Sequence, residues 1–141
     1  MISFNYETDF ILSDEIQISS WLSDVILSED KQEGEINFVF CDDNYLLNIN
    51  EKYLKHDTLT DIISFDYSIG NELHGDVFIS VERVTENAIE FNVTFKDELL
   101  RVLSHGILHY CGFKDKSVPD IEIMRMKEDE KILMFHVKHH D

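Results

Sequence analysis

The chain switches between stretches where every second residue is apolar and stretches where apolar residues recur every three to four, and that change of period lays out its elements. Ile2 to Tyr6 alternates as a strand does, and Ile36 to Cys41 reads as a second strand. Between them Ile16, Ile18, Trp21, Leu22, Val25 and Ile26 fall at helical spacing, which predicts a helix from Asp14 to about Glu29. Asp42 or Asp43 is placed to cap a further helix reaching about Leu54, with Tyr45, Leu46, Leu47, Ile49 and Tyr53 turned inward. Strands follow at Ile62 to Tyr67 and Asp76 to Ser80, with Gly70 and Gly75 punctuating a hairpin-like connection. The rest is helical in pattern, near Val81 to Phe91, Phe95 to Cys111 and Pro119 to about Met134, the last with its proline at a permissive first-turn position. The expectation is an α+β (mixed α/β) fold, one four-stranded sheet covered by about five helices. Trp21, Phe40, Phe65 and Phe78 fall on core faces and need no role as base-stacking platforms.

Composition narrows the function classes. A length of 141 residues with 43% apolar content suits one domain, residues 1–141, and one proline, Pro119, with five scattered glycines leaves no linker or repeat to divide it. Cys41 and Cys111 make neither a disulfide framework nor a paired thiolate site for zinc. No basic leader opens the chain and no apolar run approaches the ~20 residues of a membrane span, so a soluble cytoplasmic protein with no membrane partner is expected. The 29 acidic against 12 basic residues leave a net charge of −17, which repels a phosphate backbone on average. Any phosphate site must be locally positive. The acidic runs, Asp14 to Glu35 and Asp120 to Glu130, read as solvated helix faces, while Lys114 and Lys116 flank Asp115.

The chemistry concentrates in Ser104-His105-Gly106-Ile107-Leu108-His109-Tyr110-Cys111-Gly112-Phe113-Lys114-Asp115. Histidines four apart on a helix stack on one face, with Cβ atoms ~5–6 Å apart, so both imidazoles can converge on one metal. Gly112 is placed to end the helix in a left-handed turn, which brings Asp115 back against the histidines. Three protein ligands leave a position for water, as in a catalytic zinc site rather than a closed structural one. A lone histidine on an apolar helix is most often a hydrogen-bonded core residue; two in register with a terminating glycine and a carboxylate favour the metal. The spacing overlays the metzincin peptidase pattern, but the glutamate that serves those enzymes as base after the first histidine is Gly106 here. Arg101, one turn before His105, either touches a phosphate or the ligands' surroundings, or pairs with Glu98. Cys111 points away from the ligand stripe and reads as packing, and the tail His136 to His140 reads as a disordered or lightly packed end.

The segment resembles the signature of the YbeY family of metal-dependent endoribonucleases, His-Gly-x-Leu-His-x-x-Gly-x-x and a third ligand. The likeness extends over most of the chain: Asn50-x-x-Tyr53, Asp57, Thr60-Asp61-Ile62-Ile63-Ser64-Phe65, Gly75-Asp76-Val77-Phe78-Ile79-Ser80 and Glu122-x-x-x-Met126-x-x-x-Glu130 resemble further stretches in order. The resemblance implies a cytoplasmic bacterial enzyme holding one zinc ion and acting on single-stranded RNA, with DNA not expected as substrate. It further implies 3′-end processing of small-subunit ribosomal RNA, ribosome quality control, and the small ribosomal subunit as partner.

The family usually closes its motif Gly-Tyr-Asp-His, where this chain has Gly112-Phe113-Lys114-Asp115. Counting from His109 puts Asp115 in the third-ligand place, and an anionic ligand should make the metal a weaker Lewis acid and widen metal choice. The family's arginine after the tyrosine is Leu54 here, with Lys55 or His56 as substitutes of point charge. The expected site is therefore His105, His109 and Asp115 on the metal, with Arg101, Lys114 and Lys116 offsetting phosphate charge. No residue stands out as general base. Two rivals remain, a ribosome-associated RNA-binding module in which the metal staples the fold, and a metallopeptidase.

Overall fold

A computed structural model describes residues 1–54 and 60–139, so Lys55, His56 and Asp57, and His140, lie outside the described residues. The order is β1 (Ile2–Tyr6), α1 (Glu15–Ser28), β2 (Gln32–Cys41), α2 (Asp43–Ile49), a π-helical turn (Asn50–Leu54), β3 (Ile62–Asp66), β4 (Glu72–Ser80), α3 (Val81–Glu90), α4 (Phe95–Tyr110) and α5 (Val118–His139). The four strands form one sheet in the order β1-β2-β4-β3, in which β1, β2 and β4 run parallel and β3 is the antiparallel edge. This is the expected α+β architecture. Parallel neighbours need a crossover, and α1 supplies the one between β1 and β2.

Alternation along the strands divides the core between the two faces of the sheet. Ile36, Phe38 and Phe40 of β2 and Val77 and Ile79 of β4 join Trp21, Leu22 and Ile26 of α1 and Leu100, Leu103 and Ile107 of α4 in the main core. On the other face Cys41 and Ile63 pack with Leu46 of α2, and Ile49, Phe65 and Phe78 close the edges. Asp42 caps α2, its carboxylate accepting from the Tyr45 amide at 2.8 Å. Tyr45 and Tyr53, expected inward, are exposed. Their rings lie over Phe78 and against Phe65 from the solvent side, because this face of the sheet is only partly covered. The strand expected from Ile36 begins at Gln32, since Gln32 and Glu33 pair with Glu72 and Leu73 of β4.

Two further differences bear on the site. The tail beyond Met134, expected to be loose, continues as helix to His139. Phe135 is fully buried against Trp21, and His136 Nε2 meets Asp97 Oδ1 at 2.7 Å. Helix α5 is further held by Trp21, whose Nε1–H donates to the Lys131 carbonyl at 2.7 Å. The buried Lys131 ammonium in turn donates to Ser28 Oγ at 2.9 Å and to Glu29 and Glu130, each at 2.6 Å. A buried cation is tolerated when its donors are occupied in this way.

Gly75, expected in a turn, lies inside β4. The turn belongs to Gly70, whose φ is +58°. At Gly75 the Tyr110 hydroxyl, from the last turn of α4, crosses the strand to donate to the Phe65 carbonyl at 3.0 Å and the Asp76 carbonyl at 3.3 Å. A Cβ at this position would collide with both the hydroxyl and the Phe65 carbonyl. The absent side chain thus lets α4 clamp onto the β3–β4 pair. Gly75→Ala should lower stability by about 1–3 kcal/mol, the usual cost of overpacking, in urea unfolding followed by tryptophan fluorescence. An unchanged midpoint would show that this close approach is dispensable.

Candidate metal centre

Helix α4 begins at Thr94, whose hydroxyl accepts from the Asp97 amide at 3.0 Å, and it ends in a turn that builds half of the site. Gly112, at φ +101°, donates its amide to the His109 carbonyl at 3.0 Å, and the Phe113 amide reaches the Leu108 carbonyl at 3.1 Å. Both bonds of a Schellman motif are present. The reversal does two things at once. It carries Asp115 back over the helix, and it aims the Phe113 carbonyl at His109 Nδ1, 3.0 Å away.

His105 and His109 stack on one face, ring centroids 4.5 Å apart and planes at 84°. Behind His105, Nδ1 lies 2.6 Å from the carboxylate of Glu128, reached across from α5. A carbonyl or carboxylate oxygen can only accept, so each Nδ1 carries the proton and each Nε2 keeps a lone pair. Both Nε2 atoms then stand 3.2 Å from Asp115 Oδ2. With both rings neutral, three acceptors converge on one point, an arrangement that a cation between them satisfies. Two atoms bound to one zinc ion at ~2.0–2.2 Å are about 3.3 Å apart, so the spacing and the N, N, O donor set fit a tetrahedral ion with a free position. This is the only such group of histidine, cysteine and carboxylate ligands among the described residues. Side-chain exposures of 19%, 30% and 39% along His105, His109 and Asp115 leave it open to solvent on the Asp115 side.

The surrounding charges favour a cation as well. Burial works against a charged His105, but the hydrogen bond and charge of Glu128, with Asp115 and Asp61 adding to them, prevail and raise its pKa. Arg101 does not pair with Glu98. Its guanidinium donates to Glu128 Oε1 at 2.9 Å and to Asp129 Oδ1 at 2.7 Å, so its charge holds in place the carboxylate that orients His105. Lys114 and Lys116 are exposed on the Asp115 loop and form no ion pair among the described residues. Gly106, buried, faces Ile62 and Val77 of the sheet at 3.3 Å from an ideal Cβ, leaving no room there for a peptidase's glutamate. His74 stands apart, its ring engaged by the Glu35 amide and Glu72.

A cleft of about 310 Å³ opens beside the centre, with His105 and Asp115 at one end and Asp61, Asn87, Glu98 and Arg125 among its lining. Burial pushes the carboxyls of Asp61 and Glu98 up, with like charge adding to it, from Glu128 at Asp61 and from Asp61 and Glu128 at Glu98. Sequence spacing points to Glu98 only as a partner for Arg101, to Asp61 only within a family stretch, and to Glu128 not at all. The Glu128 contact spans 23 residues between two helices, and no local pattern records it.

The family model for endoribonuclease YbeY matches residues 3–136. An endoribonuclease YbeY of Flavobacterium johnsoniae is 67% identical over 138 residues, covering 98% of this chain and 99% of its own length. Those of Flavobacterium psychrophilum and Christiangramia forsetii are 65% and 57% identical, covering 98% and 97% of this chain and 99% and 96% of their own. The solution structure of a Thermotoga maritima protein shares the fold with a TM-score of 0.72 at 23% identity, over 99% of this chain and 92% of that one.

Partners behind a metal-binding histidine typically change affinity 10- to 100-fold when lost. Glu128→Gln, which keeps shape but weakens the hold on both His105 and Arg101, should therefore weaken divalent-metal binding by roughly that factor in isothermal titration calorimetry. Wild-type affinity in a folded Glu128→Gln protein would remove Glu128 from the centre's design.

Proposed function

We propose, because this chain belongs to the YbeY family of endoribonucleases, that it is a zinc-dependent phosphodiester hydrolase cutting single-stranded RNA. Its place is in 3′-end maturation of small-subunit ribosomal RNA and in ribosome quality control, in the cytoplasm and with the small ribosomal subunit as partner. The observation that carries the reading is the convergence of His105 Nε2, His109 Nε2 and Asp115 Oδ2 with an open side toward the cleft.

Zinc held there by His105, His109 and Asp115 would supply Lewis acidity, to polarise a phosphate oxygen, to acidify water, or to do both. The chain's own residues do the rest. Glu128 and the Phe113 carbonyl keep the two Nδ1 protons in place, so both Nε2 lone pairs stay directed at one point. Arg101, engaged with Glu128 and Asp129, acts through His105 as a positioning residue. Lys114 and Lys116, exposed on either side of Asp115, offset phosphate charge at the entrance against the chain's net charge of −17.

Two outcomes test this. Asp115→His, which restores the ligand the family ordinarily presents at this offset, should keep metal and part of the RNA cleavage. Asp115→Ala should lose most of both, with Asp115→Asn between them. Metal as tightly held in the alanine variant as in wild type would remove Asp115 from the ligand set. Separately, reversing Lys114 and Lys116 to glutamate should raise the Michaelis constant for RNA and flatten its dependence on salt. Unchanged kinetics would place the phosphate path elsewhere.

A further inference from the structure

Three charged side chains are buried almost completely among the described residues, and two of them are fully engaged. Lys131 is ringed by Ser28, Glu29 and Glu130, and Glu128 holds His105 and Arg101. The third is Glu98, in the first turn of α4. It is 3% exposed, yet its carboxylate has no hydrogen bond or ion pair among the described residues. The carboxylate oxygens are not among the solvent-sealed unpaired atoms, so what access they keep is through the cleft they line, where their acceptors are open to a donor.

Glu98 lines the cleft that adjoins the metal centre. Asp61 lines it too, and one of its oxygens, Oδ2, accepts only a long bond of 3.4 Å from Asn87 Nδ2. The apolar part of the lining includes Ile62, Val102 and Met124, and the exposed Arg125 also borders the cleft. A volume of about 310 Å³ is at the lower end of small-ligand sites. Its shape and chemistry ask for a ligand with apolar faces and a donor-bearing edge.

We propose that this cleft is a nucleobase subsite, in which Glu98, with Asp61, reads the hydrogen-bond donors of a guanine next to the phosphate that is cut. The inference rests on the endoribonuclease reading and deepens it. A carboxylate offers two acceptors side by side, and guanine alone among the four bases offers two adjacent donors, N1–H and the N2 amino group, on one edge. Cytosine and adenine present a single amino group, and uracil places its one N–H between two carbonyls that a carboxylate repels. Ile62, Val102 and Met124 supply the contact for the base's faces, and Arg125 is positioned to meet the neighbouring phosphate.

The experiment compares short single-stranded RNAs that differ only at the nucleotide beside the cut, carrying guanosine, inosine, adenosine or uridine, with the metal-loaded full chain. Guanosine should be favoured over uridine by about 10-fold or more, the discrimination expected of one good two-bonded contact, and inosine, lacking the N2 amino group, should fall between. Glu98→Gln should shrink the guanosine-to-uridine ratio. In parallel, nuclear magnetic resonance titration of the metal-free chain with guanosine monophosphate should shift resonances of Glu98, Val102 and Met124 more than uridine monophosphate does. Equal cleavage beside all four nucleotides overturns the subsite while leaving the endoribonuclease reading intact. No cleavage of any RNA overturns that reading instead, and the nucleotide titration then decides the subsite by itself. A second equivalent of zinc bound by wild type and lost in Glu98→Gln would identify the cleft as a cation site and contradict the proposal.

Discussion

Everything distinctive about this chain depends on three side-chain atoms that converge on one point and, with both histidines neutral, are all acceptors. His105 Nε2 and His109 Nε2 each stand 3.2 Å from the same oxygen of Asp115. Were the rings free to turn, either could relieve the crowding by presenting a protonated nitrogen. They are not free, because both Nδ1 atoms face oxygens that can only accept, a carboxylate behind one and a carbonyl behind the other. The fold thus assigns the tautomer, and with it the polarity of the site.

Each half of that arrangement is produced at a different level of structure. His109 and Asp115 are set by one local device, the Gly112 reversal, whose backbone bonds simultaneously present the Phe113 carbonyl. His105 is set by tertiary packing, since Glu128 arrives from α5 and is itself held by Arg101. That in turn requires α5 to sit at a fixed height against α1, which Trp21, the buried Lys131 and Phe135 provide. The Tyr110 clamp through Gly75 fixes α4 to the sheet from its other end. Interactions far from His105, His109 and Asp115 therefore decide whether these three side chains converge.

What sequence reading reached follows the same division. The His105–His109 spacing, the Gly112 turn and the return of Asp115 are local, and helical geometry was enough to anticipate where they stand. Arg101 was placed correctly on the helix, but its partner was not, because Glu98 is three residues away while Glu128 and Asp129 are neighbours only in the folded state. Gly75 reads as a turn residue in the sequence, since the reason for a glycine there is a tyrosine hydroxyl contributed by another element. Tyr53 was assigned inward from helical period alone, though the helix ends at Ile49 in a π-helical turn and leaves that ring exposed. Glu98 is legible in the sequence only as a partner for Arg101, as an acidic residue in a first helical turn is commonplace until its burial in the folded chain is seen.

The central claim is that the three converging ligands hold a metal on which RNA cleavage depends. It is tested most directly by stripping the protein, purified without a tag, with a chelator and titrating zinc back while following both bound metal and cleavage of a single-stranded RNA. Wild type should lose activity on stripping and regain it as the first equivalent binds, whereas His109→Ala, folded by circular dichroism, should recover neither metal nor cleavage. Full activity in the stripped protein, or cleavage by His109→Ala at the wild-type rate, would contradict the account.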